Sequence, residues 1–309
     1  MNRMLYRPEP AAILTSLGVI SLLAATTGCR SPNPGGDLGV KHPTAVRHSR
    51  CGARPSACGY PDASNTGVSA NMTLRPYGNV QVSADGAIVT RLRVHGTIDV
   101  HANNVTIKNT LVENSGASSI GILQRQGYHG LTVESTTVRG MDKTGGEMQY
   151  AVKDDGANMT LSKLNLYNCA DCVQSASGHM SDSYIHDLGY THGDHTDGFQ
   201  SNGGGGVVIR HNTILNSWPQ TSAVALFQDF SPQANNVIDN NLLAGGGYTV
   251  YGGSGKEKSR NIKISRNRFS RIYYKNCGFY SPVAYFDRRG AGNVWSGNVW
   301  DDTGISVVP

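Results

Sequence analysis

Pairs of apolar residues, five positions apart and separated by a short polar bend, recur along this chain. They are Val89/Val94, Ile107/Val112, Val133/Val138, Leu161/Leu166, Met180/Ile185, Ile209/Ile214, Ile238/Leu243, Ile264/Phe269 and Trp295/Trp300. By subtraction, successive first members lie 18, 26, 28, 19, 29, 29, 26 and 31 residues apart. A fixed unit at a variable period is typical of a solenoid whose insertions fall in loops. The pattern therefore predicts an all-β solenoid of about nine turns.

The third position after the first member of each late pair carries a small polar residue. It is Ser183, followed in consecutive turns by Asn212, Asn241, Asn267 and Asn298. Asn tolerates the left-handed backbone of a tight bend, and its amide can bond to the same amide one turn away. These residues are therefore predicted to form an internal asparagine ladder with a structural role.

A further strand is predicted before each pair, since an apolar residue and a mostly polar one recur there. The dipeptides are Val80-Gln81, Ile98-Asp99, Leu123-Gln124, Val152-Lys153, Val173-Gln174, Phe199-Gln200, Phe227-Gln228 and Val250-Tyr251. Neighbouring residues of a strand point to opposite faces, so the apolar member is expected in the core and the polar member outside. Three short strands per turn predict three parallel sheets.

Three strands per turn with an asparagine ladder resemble the right-handed parallel β-helix of the pectate-lyase-like superfamily, over residues 77–309. The segments 61–67 (PDASNTG), 195–200 (HTDGFQ) and 245–251 (GGGYTVY) are similar to secreted actinobacterial β-helix repeat proteins of unsettled activity. The superfamily resemblance implies that a glycan lies in a groove along the first sheet. The pectate-lyase trio of acidic calcium ligands on that sheet is not found in this sequence.

Long insertions at 113–121, 139–150, 186–197 and 215–225 are expected to wall such a groove along one edge. The floor of the groove would be the column of outward side chains on the first strand of each turn. These polar side chains either bind sugar hydroxyls or only form a solvated surface of the sheet. The predicted column is Asp99, Gln124, Lys153, Gln174, Gln200, Gln228 and Tyr251.

Four residues are predicted to converge in one catalytic pocket: Lys153, Asp171, His195 and Asp197. Lys153 is the one cation of the predicted column, and it is either the base of a uronate lyase or a surface lysine. Asp171 and Asp197 each precede a column glutamine by three residues, so they are expected in neighbouring turns about 4.8 Å apart. Two such close carboxyl groups could acquire different pKa values or bind a cation together. Alternatively, they accept backbone hydrogen bonds and have a structural role.

The segment 186–197 is rich in groups that bind metals or protons. His192, Asp194, His195 and Asp197 are candidate ligands for a divalent cation such as calcium, although no strong metal motif is present. The alternatives are acid–base catalysis, substrate contact and hydrogen bonding within the loop. Tyr190 and His192 are further candidates for substrate contact.

The first residues have the pattern of an export signal. Residues 1–28 carry Arg3 and Arg7 before an apolar stretch too short to span a bilayer, and Gly28-Cys29 resembles a lipidation site. Lipidation at Cys29 is expected, with simple cleavage as the alternative. Residues 29–58 are predicted to form a tether with a disulfide-stapled end, and residues 59–309 to form the β-helix domain.

Export implies disulfides, and the cysteines beyond Cys29 give an odd number of thiols. Cys51 and Cys58 are a plausible pair, while Cys169 and Cys172 pair locally or one of them pairs with Cys277.

The formal net charge of +5 comes without a basic run carrying interleaved aromatics, so nucleic acid is not an expected partner. We therefore expect a secreted, lipid-anchored monomer that touches the membrane only through its lipid. Its expected function is that of a carbohydrate-active enzyme on an extracellular, acidic polysaccharide, with β-elimination ahead of hydrolysis by an Asp pair. The competing function is a non-catalytic glycan-binding or surface protein.

Overall fold

The computed structural model describes residues 51–141, 147–190 and 195–309. The predicted signal segment 1–28, Cys29, most of the tether, His192 and Asp194 lie outside these residues. Within the described residues there is a short 3-10 helix, Pro55–Cys58, and no α-helix, and hence no helix long and apolar enough to cross a membrane.

The strands are short and follow one another closely. In chain order they begin with β1 (Arg75–Tyr77), β2 (Val80–Val82), β3 (Ile88–Thr90), β4 (Leu92–His95), β5 (Ile98–Val100), β6 (Thr106–Lys108), β7 (Leu111–Asn114), β8 (Gly116–Gln124), β9 (Thr132–Glu134) and β10 (Thr137–Gly140). The middle turns contain β11 (Met148–Asp154), β12 (Met159–Ser162), β13 (Asn165–Tyr167), β14 (Cys169–Ser175), β15 (Gly178–Ser181), β16 (Tyr184–His186), β17 (Asp197–Ser201), β18 (Gly204–Gly205), β19 (Val207–Arg210) and β20 (Thr213–Asn216). The last turns contain β21 (Ser222–Leu226), β22 (Gln233–Ala234), β23 (Val237–Asp239), β24 (Leu242–Gly245), β25 (Tyr248–Gly252), β26 (Lys263–Ser265), β27 (Arg268–Phe269), β28 (Ser281–Ala284), β29 (Val294–Ser296) and β30 (Val299–Trp300).

These strands stack into three long parallel sheets, which confirms the predicted right-handed parallel β-helix. Sheet 1 has the order β2-β5-β8-β11-β14-β17-β21-β25-β28. Sheet 2 runs β3-β6-β9-β12-β15-β19-β23-β26-β29, and sheet 3 runs β1-β4-β7-β10-β13-β16-β20-β24-β27-β30. Each turn passes from sheet 1 to sheet 2 to sheet 3, and β18 pairs with β22 in a small extra sheet.

The nine predicted apolar pairs face one continuous core, as expected. They are fully buried except Val89, Trp295 and Trp300, which are partly buried and pack against the same core. Successive pairs lie in register, so that Met180, Ile209 and Ile238 are neighbours in sheet 2. Burial of one aliphatic side chain stabilises by about 1.5–3 kcal/mol, and repetition over the turns makes this core the main source of stability.

The asparagine ladder is confirmed at the bend between sheets 2 and 3. The Oδ1 atom of Asn241 accepts from the backbone N–H of Asn212 at 2.9 Å, and that of Asn267 accepts from Asn241 at 2.9 Å. The left-handed position at each bend is, however, the residue before the ladder position. These residues have φ between 45 and 64°: Arg91, Asn109, Ser135, Lys163, Asp182, His211, Asn240, Arg266 and Gly297. The expectation that the ladder asparagines adopt the left-handed backbone was therefore wrong.

Long connections border sheet 1 on both sides, rather than on one edge as predicted. From sheet 3 to sheet 1 the fully described ones span 217–221 and 270–280, whereas the predicted insertion at 113–121 lies mostly within β8. The predicted insertions at 139–150 and 186–197 lie partly outside the described residues. From sheet 1 to sheet 2 they span 227–236, 253–262 and 285–293. The outer face of sheet 1 is therefore a groove with two walls in the C-terminal turns.

A segment preceding the first strand, residues 51–68, lies along the outside of sheet 3, and we call it the strap. Its first amides, those of Cys51 and Gly52, donate to the buried Asp301 carboxylate at 2.9 and 3.2 Å. Further along, the Tyr60 hydroxyl donates to Asn240 at 3.2 Å, and the Val68 amide donates to Thr137 at 3.0 Å. The strap thus connects the last turn of the solenoid with its early turns.

Two disulfides form, Cys51–Cys58 in the strap and Cys169–Cys172 within β14, so the local pairing of Cys169 is the one observed. Among the described cysteines, the remaining thiol is that of Cys277, which is fully buried. Burial raises its pKa to about 12, so this thiol stays protonated and unreactive.

The double substitution Cys51→Ser/Cys58→Ser is expected to lower the free energy of opening of the strap by about 2 kcal/mol, because the disulfide closes a short loop. Faster hydrogen exchange at the Gly52 and Tyr60 amides would show it. The Asn241 amide in the ladder serves as the internal control. Unchanged exchange at Gly52 would mean that the Asp301 contacts alone hold the strap.

Candidate functional site

The outward column of sheet 1 follows from the strand register. It contains Gln81, Asp99, Leu123, Lys153, Gln174, Gln200, Ala225, Tyr251 and Ala284. Five of the seven predicted members are present, and we call this row the outer column. Gln124 and Gln228 do not belong to it.

Gln124 points inward, so the prediction of an outward, sugar-binding side chain was wrong. Leu123 occupies the outer column, while Gln124 is fully buried. Its Nε2 donates to Asp154 Oδ1 at 2.6 Å, and its Oε1 accepts from the Leu131 amide at 2.8 Å. With these partners Gln124 is a structural group under the loop that follows β8.

Gln228 lies beyond the end of β21, and Ala225 takes its expected place in the outer column. Its Nε2 donates to the carbonyls of Gly253 and Glu257 at 2.7 and 2.9 Å, and its Oε1 accepts from the Glu257 amide at 3.0 Å. The side chain therefore fastens the 253–262 loop to the groove wall.

A cavity of about 370 Å³ lies above the outer column where the two walls approach each other. It is lined by His195, Asp197, Gln200, Gln220, Thr221, Phe227, Asp229 and Tyr251. We call it the acid cavity. It brings together two of the four predicted catalytic residues, His195 and Asp197, with two members of the outer column.

Asp171 and Asp197 are direct neighbours in strands β14 and β17, as predicted from their spacing. The Asp197 amide donates to Asp171 Oδ1 at 3.2 Å, and the Asp171 Oδ2 atom accepts from Gln149 Nε2 at 3.3 Å. The Cys169–Cys172 disulfide spans Asp171 on the same strand. The carboxyl pair is thus held by the sheet itself and not by a loop.

Asp197 is fully buried, and its Oδ1 accepts from the Ser222 hydroxyl, whereas its Oδ2 has no hydrogen-bond partner. Burial raises the pKa of Asp197 well above its ordinary value, and the nearby negative charge of Asp171 raises it further. The hydrogen bond from Ser222 opposes this but does not overcome it. Asp197 consequently keeps its proton at a pH where an ordinary aspartic acid has lost it.

His195 is exposed at the rim of the acid cavity, where its Nδ1 lies 3.4 Å from the Thr221 hydroxyl. The other candidate metal ligands, His192 and Asp194, lie outside the described residues. Among the residues that are described, no group of three His, Cys, Asp or Glu side chains is arranged to hold a metal ion.

Lys153 lines a different cavity, of about 590 Å³, together with Gln174. Its Nζ lies 3.3 Å from Asp155 Oδ1 and 5.3 Å from the ring centre of Tyr150. The structure therefore does not place Lys153 in the acid cavity with His195 and Asp197, and the predicted convergence of all four residues is not observed.

Two further predicted contact residues, Asp99 and Tyr190, do not line the acid cavity. Asp99 accepts two hydrogen bonds of 2.8 Å from Arg125 near the N-terminal end of the groove. The Tyr190 ring packs against Trp218 at 4.8 Å.

Several oxygen atoms on the groove floor are buried and have no hydrogen-bond partner. They include Gln174 Oε1, Asp197 Oδ2, Gln200 Oε1 and Asn202 Oδ1, which are four of the seven such side-chain atoms in the described residues. Gln174 and Gln200 are adjacent in the sheet. Buried polar atoms usually have partners, and their concentration here indicates a site that a ligand completes.

An aromatic cluster borders the acid cavity at its C-terminal end. The Tyr285 ring stacks on Tyr251 at 5.7 Å, and Phe227 meets Tyr251 edge-on at 5.0 Å. Tyr280 and Tyr248 lie beside them, with ring centres 5.4 Å apart. Only Tyr251 was predicted, because the other rings come mostly from connections and not from the outer column.

Comparisons with known proteins give little beyond the fold. No protein-family model matches the chain, and no curated protein matches it. Among solved structures, the Dettilon tailspike protein (gp208) is similar over 73% of this chain, with 12% sequence identity and a TM-score of 0.38. The matched region is 59% of the tailspike chain. A likeness at this level bears on neither substrate nor reaction.

Proposed function

We propose that this protein binds a polysaccharide along the groove of sheet 1 and cleaves it at the acid cavity. The observation that carries the proposal is the group of unpartnered oxygens in the groove, two of which, Gln200 Oε1 and the Oδ2 of the protonated Asp197, belong to residues lining the acid cavity. A carbohydrate supplies many hydroxyl groups to such oxygens. A buried, protonated carboxyl group is the form that an acid catalyst of glycoside cleavage requires.

In the proposed reaction, Asp197 donates its proton to the glycosidic oxygen as the bond to the anomeric carbon breaks. Water adds to that carbon and gives up a proton, for which His195 is the acceptor at the rim of the same cavity. The Oδ2 atom of Asp197 is inaccessible to solvent, so a ligand reaches it only when neighbouring side chains shift. His195 has room to shift because it is exposed.

Asp171 would act on Asp197 rather than on the substrate. Its charge raises the pKa of Asp197, in addition to the effect of burial, and so keeps the acid loaded. The two carboxyl groups sit on adjacent strands, which are about 4.8 Å apart. That spacing is shorter than the separation of about 6.5–9.5 Å that an inverting glycosidase needs for its water.

Lyase chemistry at Lys153 is the second candidate. Lys153 belongs to the outer column and lines a cavity of the same groove, so a uronate chain could lie over it. Its contacts with Asp155 and Tyr150 weigh against this role, because they are contacts of the ammonium cation, whereas a base takes a proton as the neutral amine.

A polysaccharide screen that measures reducing ends and the ultraviolet absorbance of unsaturated products separately tests these functions. Hydrolysis is expected to yield reducing ends without absorbance, and β-elimination to yield both. Binding without either signal would make the protein a glycan-binding module and remove the catalytic assignment.

Lys153→Ala distinguishes the two reactions, with the exposed Lys258→Ala as the matched control. If Asp197 is the acid, Lys153→Ala is expected to keep activity within about 3-fold, and its stability should change little. Loss of turnover in Lys153→Ala alone would move the chemistry to the lysine and favour the lyase.

We further propose that the protein acts outside the cell, anchored through Cys29. The two disulfides support an oxidising compartment. Mass spectrometry of the mature N-terminus tests the anchor: a diacylglyceryl group on Cys29 is expected, and an unmodified N-terminus would exclude it.

A further inference from the structure

The chemistry of the groove also bears on the charge of its ligand, an inference that rests on the proposed function. The unpartnered floor atoms of Gln174, Gln200 and Asn202 are all hydrogen-bond acceptors. An ionised carboxylate or sulfate is itself only an acceptor, whereas a hydroxyl group can donate. Each amide also carries an NH2 donor, so hydroxyl groups, which both donate and accept, match both ends of these side chains, whereas an anionic group leaves the oxygens without a donor. Rotation about the last torsion of a glutamine side chain costs little, so each amide oxygen can turn toward a bound hydroxyl.

The fixed charges of the groove lead to the same conclusion. Arg125 is held by Asp99 through two hydrogen bonds of 2.8 Å, and Lys153 is paired with Asp155 at 3.3 Å. Besides the protonated Asp197, the residues lining the acid cavity include Asp229, and they include neither Lys nor Arg. Lys256 lines the next cavity toward the C-terminus, and Asp229 lines that cavity too.

The aromatic cluster supplies an apolar platform beside these polar atoms. Tyr285 and Tyr280, from opposite walls of the groove, are 62% and 61% exposed, and Phe230 on the same wall as Tyr285 is 85% exposed. The rings of Tyr251 and Tyr285 are stacked within 14° of parallel, so they present neighbouring surfaces at the edge of the acid cavity. An exposed aromatic patch of this kind marks a binding surface. A pyranose ring has one apolar C–H face and a rim of hydroxyls, which matches a platform next to acceptors.

We infer that the groove takes an uncharged, hydroxyl-rich polysaccharide whose sugar rings pack on Tyr251 and Tyr285 while their hydroxyls donate to Gln200 and Gln174. This assignment replaces the acidic substrate expected from the sequence. The first sugar-binding position then lies on the C-terminal side of Asp197, against the groove wall formed by the 285–293 connection.

The test is calorimetric titration of the full folded protein with two panels of oligosaccharides of equal length. One contains glucan, mannan, xylan and galactan fragments, and the other contains polygalacturonate and alginate fragments. Binding is expected from a member of the uncharged panel, with a Kd that changes less than about 2-fold between about 20 and about 500 mM NaCl, because no ion pairs form.

Variants locate the contact. Tyr251→Ala is expected to weaken binding at least about 10-fold, and Tyr251→Phe, which keeps the ring, to stay within about 3-fold of wild type. Tyr285→Asn removes the second ring while suiting the left-handed backbone at this position, where φ is 54°. Because Tyr285 is exposed, Tyr285→Asn should keep the fold intact, and it therefore tests the contact even if Tyr251→Ala is destabilised. Tyr77→Ala, an exposed tyrosine of sheet 3, is the control.

Tight, salt-sensitive binding of the uronate panel alone would overturn this inference and leave the proposed function standing. Uncharged ligands that bind Tyr285→Asn and Tyr251→Ala as well as wild type would also overturn it. No binding and no cleavage with either panel would overturn the proposed function together with it.

Discussion

Asp197→Asn is expected to lower polysaccharide turnover by about 10²–10⁴-fold, because an amide cannot give a proton to the glycosidic oxygen. The substitution is nearly isosteric, and its Oδ1 can still accept the hydrogen bond from Ser222. Substrate binding should therefore persist while turnover is lost. Release of reducing ends, measured with binding by calorimetry, gives both quantities. Glu134→Gln removes an exposed carboxylate on sheet 2 and should change neither.

The same variant has a signature in thermal stability. The pKa of Asp197 is raised in the folded protein above its ordinary value of 3.8, so the folded state holds a proton that the unfolded chain releases. The stability contributed by this group is complete below the unfolded pKa and is lost as the pH rises toward the folded pKa. The asparagine in Asp197→Asn does not ionise, so this variant does not lose stability in this way. Its Tm relative to wild type should therefore increase as the pH rises from about 4 to about 7.

Two results would contradict this account of Asp197. Wild-type turnover in Asp197→Asn would exclude the residue as the acid. A Tm difference that is constant with pH would mean that its carboxyl ionises normally, and the source of catalytic protons would have to be sought elsewhere in the groove.

Asn241→Ala is expected to have the largest effect on the fold, a decrease in the free energy of unfolding of about 3–5 kcal/mol. Asn241 Nδ2 donates to Ile209 O at 2.9 Å and to Asn267 Oδ1 at 3.0 Å, and its Oδ1 accepts two hydrogen bonds from Asn212. All of these groups are buried, so truncation leaves donors and acceptors without partners where water does not reach them.

Denaturant titration of Asn241→Ala beside Asn71→Ala, an exposed asparagine before the first strand, measures the effect. The control should lie within about 0.5 kcal/mol of wild type. A loss below about 1 kcal/mol for Asn241→Ala would show that neighbouring turns relax enough to replace the ladder contacts.

The core could be predicted because the bend fixes its spacing. A left-handed residue two positions after each first member turns the chain sharply, so the next inward residue always falls five positions on. Insertions elsewhere in the turn leave this unit unchanged. The asparagines were visible for the same reason, since each occupies the same place in that bend.

The outer column was harder to predict, because strand phase is hidden where apolar residues are continuous. Ile122 and Leu123 are both apolar, and the sequence gives no reason to prefer Ile122 as the inward one. The run from Ala223 to Phe227 hides the phase of β21 in the same way. A shift of one residue moves a side chain to the opposite face, which is the error made at Gln124.

The Asp171–Asp197 pair was predictable because it depends only on register with Gln174 and Gln200. The contact of Lys153 with Asp155 could not be predicted, because Asp155 lies beyond the strand alternation that defined the column. The aromatic platform joins Tyr251 to Tyr280 and Tyr285, whose contact depends on loop paths that periodicity does not report.

The strap alters how such a solenoid assembles and comes apart. Turns that touch only their neighbours can fray from either end independently. Here Cys51 and Gly52, which are synthesised early, find their acceptor on Asp301, 250 and 249 residues later. The segment can dock only after the final turn has folded, so docking marks completion of the domain. Once the strap is docked, unfolding of the turn at Asp301 also breaks the contacts of the strap along sheet 3. The solenoid therefore unfolds more cooperatively than stacking of neighbouring turns alone would allow.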